Sequence, residues 1–226
     1  MKKTTLILIA GMLSFAGYAQ TFNADSAVRV LQFQKDSTLR ALIHGDSAKV
    51  EKEYAKKIRI AKLQGLAVYP VLNAGENSGI IPVTNPTEIP DPSLDYKLLF
   101  DIWSSNPDSI AKEINLNLAE ISRVINLHVA SGIPLKKIFP VIIAHGPVLN
   151  ALTNNEYYKE HFNMDNPNIR IINELSALGT KFIACVQAMA FQGLKKEALL
   201  PNVKVTLTAK TALSSYQLKG YVLYKE

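Results

Sequence analysis

From Asp95 onward, short apolar runs alternate with longer stretches in which apolar residues recur every three or four positions. The runs "YKLLFDIW", "IFPVIIAHG", "KFIAC", "VKVTL" and "GYVLYK" read as strands, being brief, β-branched or aromatic, and bounded by turn residues. The stretch "SNPDSIAKEINLNLAEISRVINLHVASG" reads as a helix, with Asn106 as its cap, Pro107 at the first helical position and Asp108 complementing the positive end of the dipole. Its buried stripe is Ile110, Ile114, Leu118, Ile121 and Ile125, and Gly132 and Pro134 end it. A short helix is predicted from Val148, and another from near Asn168, with Ile171, Ile172, Leu175 and Leu178 apolar and Gly179 as its stop. A helix follows "KFIAC", and "AKTALSSYQ" supplies the last one. Strand and helix in alternation predict an α/β fold: a three-layer, mostly parallel five-stranded sheet with helices on both faces, joined by right-handed crossovers. This domain is placed at residues 94–226.

The pattern before it differs. Residues 20–64 read as a helical extension, in which Val50, Tyr54, Ile58 and Ala61 share one face and Glu53 and Lys57 stand at i,i+4. "HGDS" at 44–47 interrupts it and predicts a helical hairpin or two helices at an angle. Residues 65–93 carry Pro70, Pro82, Pro86, Pro90 and Pro92 with Gly65, Gly75 and Gly79, too dense for regular helix or central strand. They read as an extended linker, with short strand segments around Ala67–Leu72 and Gly79–Val83. Residues 1–19 have the form of a signal peptide: Lys2 and Lys3, then an apolar Thr4–Phe15, then small residues before a cleavage point after Ala19. That run is too short to span a bilayer, which takes about 20 residues. The expectation is an exported protein, periplasmic or secreted, with no membrane anchor after cleavage.

Charge adds little to this picture. The chain of 226 residues has a formal net charge of +6, which falls to +4 without Lys2 and Lys3. Its lysines are dispersed apart from "KVEKEYAKKIR", which reads as a solvated helix face, so no nucleic-acid partner is expected. No GxGxxG or Walker A sequence appears, and the four histidines are not at metal-binding intervals. No cofactor and no metal are implied.

The candidate chemistry lies where strands end, because open α/β sheets gather ligands at the carboxyl edge. Cys185, the single cysteine, closes a strand and opens a helix. There it would meet unpaired backbone N–H groups and the positive helix end, which favour a thiolate. The other reading is a small buried residue. His145, followed by Gly146 and Pro147, closes the preceding strand as a proton-exchanging group or as a hydrogen-bonded structural histidine. Gln187 and Gln217 are candidate polar wall residues. His128 lies near an apolar helix stripe and reads as structural, and His161 falls in polar loop sequence. Ser214 and Ser215 lack the glycine elbow of a hydrolase, and a Cys185–His145 hydrolase has no third orienting residue nameable from sequence.

Three segments together, "VIIAHGPVLNALTNN", "IINELSALGTKFIACVQAMAFQGL" and "LLPNVKVTLTAKTALSSYQLKGYVLY", resemble the DsrE/DsrF-like family over about residues 95–226. The likeness includes a strand ending in His-Gly, a strand ending in cysteine, an "LLP-x-V" strand and a Gln-x-x-Gly-Tyr ending. It implies an α/β sheet fold and assembly as a homo-oligomer, a trimer or hexamer. In the family's sulfur-relay branch a cysteine at this place accepts sulfur as a persulfide and passes it on. Cys185 matches that position, with Val186, Ala188 and Gly193 resembling its surroundings. The resemblance therefore implies a sulfur carrier with a donor or acceptor protein as partner. The alternative is a non-catalytic oligomeric binding or scaffold module in which the cysteine is inert. The export signal, the helical extension and the linker lie outside the family pattern.

Overall fold

The computed structural model describes residues 24–41, 47–107 and 112–225. The expected signal peptide with its cleavage point, the break at 42–46, Asp108 and Ile110 lie outside the described residues. Two helices come first, α1 (Ala24–Ala41) and α2 (Ser47–Gln64). The α/β domain follows as β1 (Tyr96–Ile102), α3 (Leu116–Ala130), β2 (Ile138–Ala144), α4 (Asn155–Phe162), α5 (Ile169–Ala177), β3 (Lys181–Cys185), α6 (Val186–Gln192), β4 (Val203–Thr206), α7 (Ala209–Leu218) and β5 (Val222–Lys225). The five strands form one sheet in the order β4-β3-β2-β1-β5, with every pairing parallel.

The sheet separates two apolar layers of unequal size. Leu98, Phe100, Ile102, Ile142, Ala144, Phe182 and Ala184 point to one side. There they meet Leu118, Ile121 and Ile125 of α3 and Ile171, Ile172 and Leu175 of α5. Leu99, Val141, Ile143, Ile183 and Cys185 point to the other, where Ala209, Ala212, Leu213 and Tyr216 of α7 cover them. This alternation follows from the two-residue period of a strand, and the near-continuous apolar runs from burial on both faces.

Two helix boundaries differ from expectation. The helix predicted from Asn106 begins at Leu116, because asparagines further along capture its first amides. Asn115 accepts from the Asn117 amide at 3.0 Å, and its own amide donates to Asn168 Oδ1 at 2.7 Å. Asn106 still caps this helix, but from a distance: its Oδ1 accepts from the Leu116 amide at 2.8 Å. Pro107 is therefore not at the first helical position. The second difference is α4, a helix where polar loop was expected. Asn154 accepts from the Tyr157 amide and Asn163 takes a left-handed C-cap, so local capping supplies what apolar periodicity lacks. His161 lies in that helix, stacked on Tyr157.

In the extension, α1 and α2 lie antiparallel, with Lys35 paired to Glu51 and the Thr38 hydroxyl 3.3 Å from Tyr54 Oη. Val50, Tyr54 and Ile58 are half-buried and Ala61 is buried, which is the predicted face. Glu53 and Lys57 are in contact at 2.8 Å. The stretch after α2 divides in two. Leu72, Ala74, Ser78 and Ile80 are buried, and Val68 and Ile80 form an antiparallel bridge, while residues 81–95 are exposed throughout. The docked part is held by Asn126 of α3, which is fully buried. Its Oδ1 accepts from the Val71 and Leu72 amides, both at 3.0 Å, and its Nδ2 donates to the carbonyls of Leu72 (2.8 Å) and Ser78 (3.0 Å). All four hydrogen-bonding positions of the amide are thus used on one backbone segment.

Candidate functional site at the carboxyl edge of the sheet

Parallel register decides which strand ends become neighbours. Ile102 pairs with Ala144, Ala144 with Ala184, and Cys185 with Thr206. The ladder runs one residue further on β2, where the His145 amide donates to the Ile102 carbonyl at 3.0 Å. His145 and Cys185 both keep extended backbone and so continue the pleat of Ile143 and Ile183. They stand side by side on the α7 face, on strands about 4.8 Å apart. Asp101 of β1 lies on the same face, two residues beyond Leu99.

Asp101 is the residue that sequence reasoning missed. Its Oδ1 lies 3.0 Å from His145 Nε2, and its side chain is 17% exposed against 36% for the imidazole. In the sequence it is one aspartate inside "LLFDIW". The available signal was a charged residue interrupting an otherwise buried strand one step before its end, a placement that calls for a partner.

Cys185 is buried, with 5% exposure. Its Sγ accepts a hydrogen bond from the Ala209 amide at 3.3 Å. Ala209 is the first residue of α7, and Thr208 caps the next amide, that of Lys210, at 3.3 Å. The N–H group that serves the sulfur therefore belongs to α7, not to α6, the helix Cys185 opens. Cys185 makes no side-chain cap there, and the Gln187 amide donates to the Leu207 carbonyl instead. Amides at a helix start are where backbone best accommodates negative charge.

Gly146 turns the chain away after His145 with φ +66°, and a Cβ there would stand 3.2 Å from the Trp103 carbonyl oxygen. Both the left-handed backbone and the close approach call for glycine. The Gly146 carbonyl accepts from Gln192 Nε2 at 2.8 Å, which ties α6 to the turn. Of the other predicted wall residues, Gln187 is exposed at the start of α6. Gln217 is exposed eight residues along α7 from Ala209, about 12 Å away at a helix's rise, and is not brought to the site. His128 binds the Val124 carbonyl through Nδ1 at 2.7 Å and meets Tyr96 edge-on, a structural role. No group of three or more His, Cys, Asp or Glu side chains among the described residues is placed to hold a metal ion. No helix among them is long and apolar enough to cross a membrane.

The model of the DsrE/DsrF-like family matches residues 97–224, more than half of the chain. The chain belongs to the DsrE/DsrF-like family. A solved structure it is similar to is the protein of unknown function MTH1491 from Methanobacterium thermoautotrophicum, at 22% identity. That likeness covers 58% of this chain and 100% of the other, with a TM-score of 0.42. No curated protein matches the chain.

Proposed function

We propose that this is a sulfur-handling protein in which Cys185 carries a sulfane sulfur. Family membership supports the reading at the level of the family's relay chemistry. The observation that carries it for this chain is the Ala209 amide directed at Cys185 Sγ from the start of a ten-residue helix. In the transfer, Cys185 sulfur attacks the outer sulfur of a persulfide donor, R–S–SH. A new S–S bond forms at Cys185 as the donor's S–S bond breaks. The donor leaves as the thiol R–SH, so the step conserves atoms and involves no net oxidation. The Ala209 N–H stabilises negative charge on Cys185 sulfur before attack. The proposal includes export directed by residues 1–19 and assembly as a homo-oligomer, trimer or hexamer, that meets a donor or acceptor protein.

The test is persulfide loading. Incubation with a small-molecule persulfide donor is expected to add the mass of one sulfur to the wild-type protein and none to Cys185→Ser. An unchanged wild-type mass, under conditions that load a control carrier, overturns the reading. One observation favours a second reading: the 5% exposure of Cys185 suits an inert core residue of a binding or scaffold module. Thiol titration separates the two, since an inert cysteine reacts only after denaturation.

A further inference from the structure

We infer that Asp101 is a positioning residue for thiol chemistry at Cys185, acting through His145; the inference rests on the sulfur-carrier reading. The Asp101 carboxylate has no proton to give, so at 3.0 Å it accepts from His145 Nε2–H. That bond selects the tautomer in which Nδ1 is the unprotonated nitrogen. It also fixes the ring on the face that Cys185 shares, at the neighbouring strand end. The arrangement follows the logic of an acid-oriented base beside a nucleophile. Here it is assembled from three consecutive strands of the sheet, in the order β1, β2, β3.

The sulfur accepts from the Ala209 amide, which leaves its own proton for the imidazole at the neighbouring strand end. Nδ1 takes the Cys185 proton, and the resulting thiolate, held by the Ala209 N–H, attacks the donor's outer sulfur. The same proton passes to the departing R–S⁻, which leaves His145 neutral and ready for another cycle. Asp101 keeps its hydrogen bond to the ring throughout and takes no part in the sulfur transfer itself. Other groups on this face that carry or exchange protons are Lys225, in register with Asp101 on β5, and Lys204, in register with Ile183 on β4. Tyr216 of α7 and Tyr221 pack against the same layer. Among the described residues neither lysine is hydrogen-bonded to Asp101 or His145, and the carboxylate's partner is the imidazole.

The experiment measures the alkylation rate of the native protein by iodoacetamide across pH, together with the imidazole ¹⁵N shifts of His145. Wild type is expected to show Nε2–H with a bare Nδ1, and to alkylate readily at pH 7. Asp101→Asn should give a mixed tautomer signature and a rate at pH 7 about tenfold lower. The rates should converge at high pH, where hydroxide removes the thiol proton, and an unchanged far-UV circular dichroism spectrum shows that the variant is folded. Asp101→Glu should recover part of the neutral-pH rate. Asp101→Asn combined with His145→Asn should be no slower than His145→Asn alone. Matching pH profiles and tautomers in wild type and Asp101→Asn overturn the assignment, as does a thiol that is silent in every variant. Failure of persulfide loading while the Asp101 dependence persists removes the sulfur-carrier reading and leaves the Asp101 role standing.

Discussion

The two faces of the sheet are built to different thickness. On one, Phe100, Ile142 and Phe182 are sealed beneath α3 and α5, with a further layer formed by the docked segment around Leu72 and Ala74. On the other, α7 packs across β1 and β2 with only Ala188 of α6 and Tyr221 beside it among the described residues outside the sheet, and Phe139 at the amino-terminal end of that face is 42% exposed. The polar and nucleophilic groups, Asp101, His145 and Cys185, all lie on the thinner side. A thick layer has no room for a charged pair that also needs access. Where a single ten-residue helix covers the sheet, its first amide falls over the strand ends and supplies the one donor the sulfur uses.

The largest expected effect tests the inequality itself. Phe100→Ala empties a fully buried site and is expected to cost about 3–5 kcal/mol in denaturant unfolding. Leu213→Ala on half-buried α7 should cost about 1–2 kcal/mol. Equal costs would break the comparison. Next in size, Asn126→Ala strips the partners from four backbone groups of residues 71–78, an expected loss of about 3 kcal/mol. Hydrogen exchange should then quicken at the Val71 and Leu72 amides while β3 stays protected. Uniform loss of protection would show the docked segment to be part of one cooperative unit with the sheet.

The smallest effect concerns Glu76, on the same docked segment. Partial burial, and then the charge of Glu113, raise its carboxyl above the ordinary value of 4.5. A raised acid pKa means that the folded state binds the proton more tightly than the unfolded chain. The associated stability is complete below the ordinary value and is lost as pH rises through the raised one. Glu76→Gln is therefore expected to stabilise slightly at pH 7, within about 0.5 kcal/mol, and the gain over wild type should vanish in acid. Thermal unfolding at the two pH values reads this; a variant less stable than wild type at pH 7 contradicts the sign.

Much of the frame was legible. "KFIAC" is β3 residue for residue, and the strands written as "IFPVIIAHG", "VKVTL" and "GYVLYK" all contain the observed ones. Burial on both faces leaves few residue types possible, so the apolar runs stand out. The start of α3 was misread because Asn115 and Asn168, 53 residues apart, settle it together. The helix α4 was missed because capping rather than apolar spacing makes it. Asn126 read as one polar residue in a helix, since its partners are 54 residues upstream in a proline-rich stretch.

The candidate site divides the same way. Strand ends can be found from local pattern, and so Cys185, His145 and Gly146 were identifiable from the sequence alone. Strand order, register and the landing point of α7 depend on which elements pack together. Tertiary structure therefore decided that β2 lies between β1 and β3, that Asp101 faces His145, and that the amide at Cys185 sulfur comes from Ala209. The physical reason is that propensity and hydrophobic period act over a few residues, whereas a hydrogen bond between distant segments exists only after the sheet has brought them within 3 Å or so of each other.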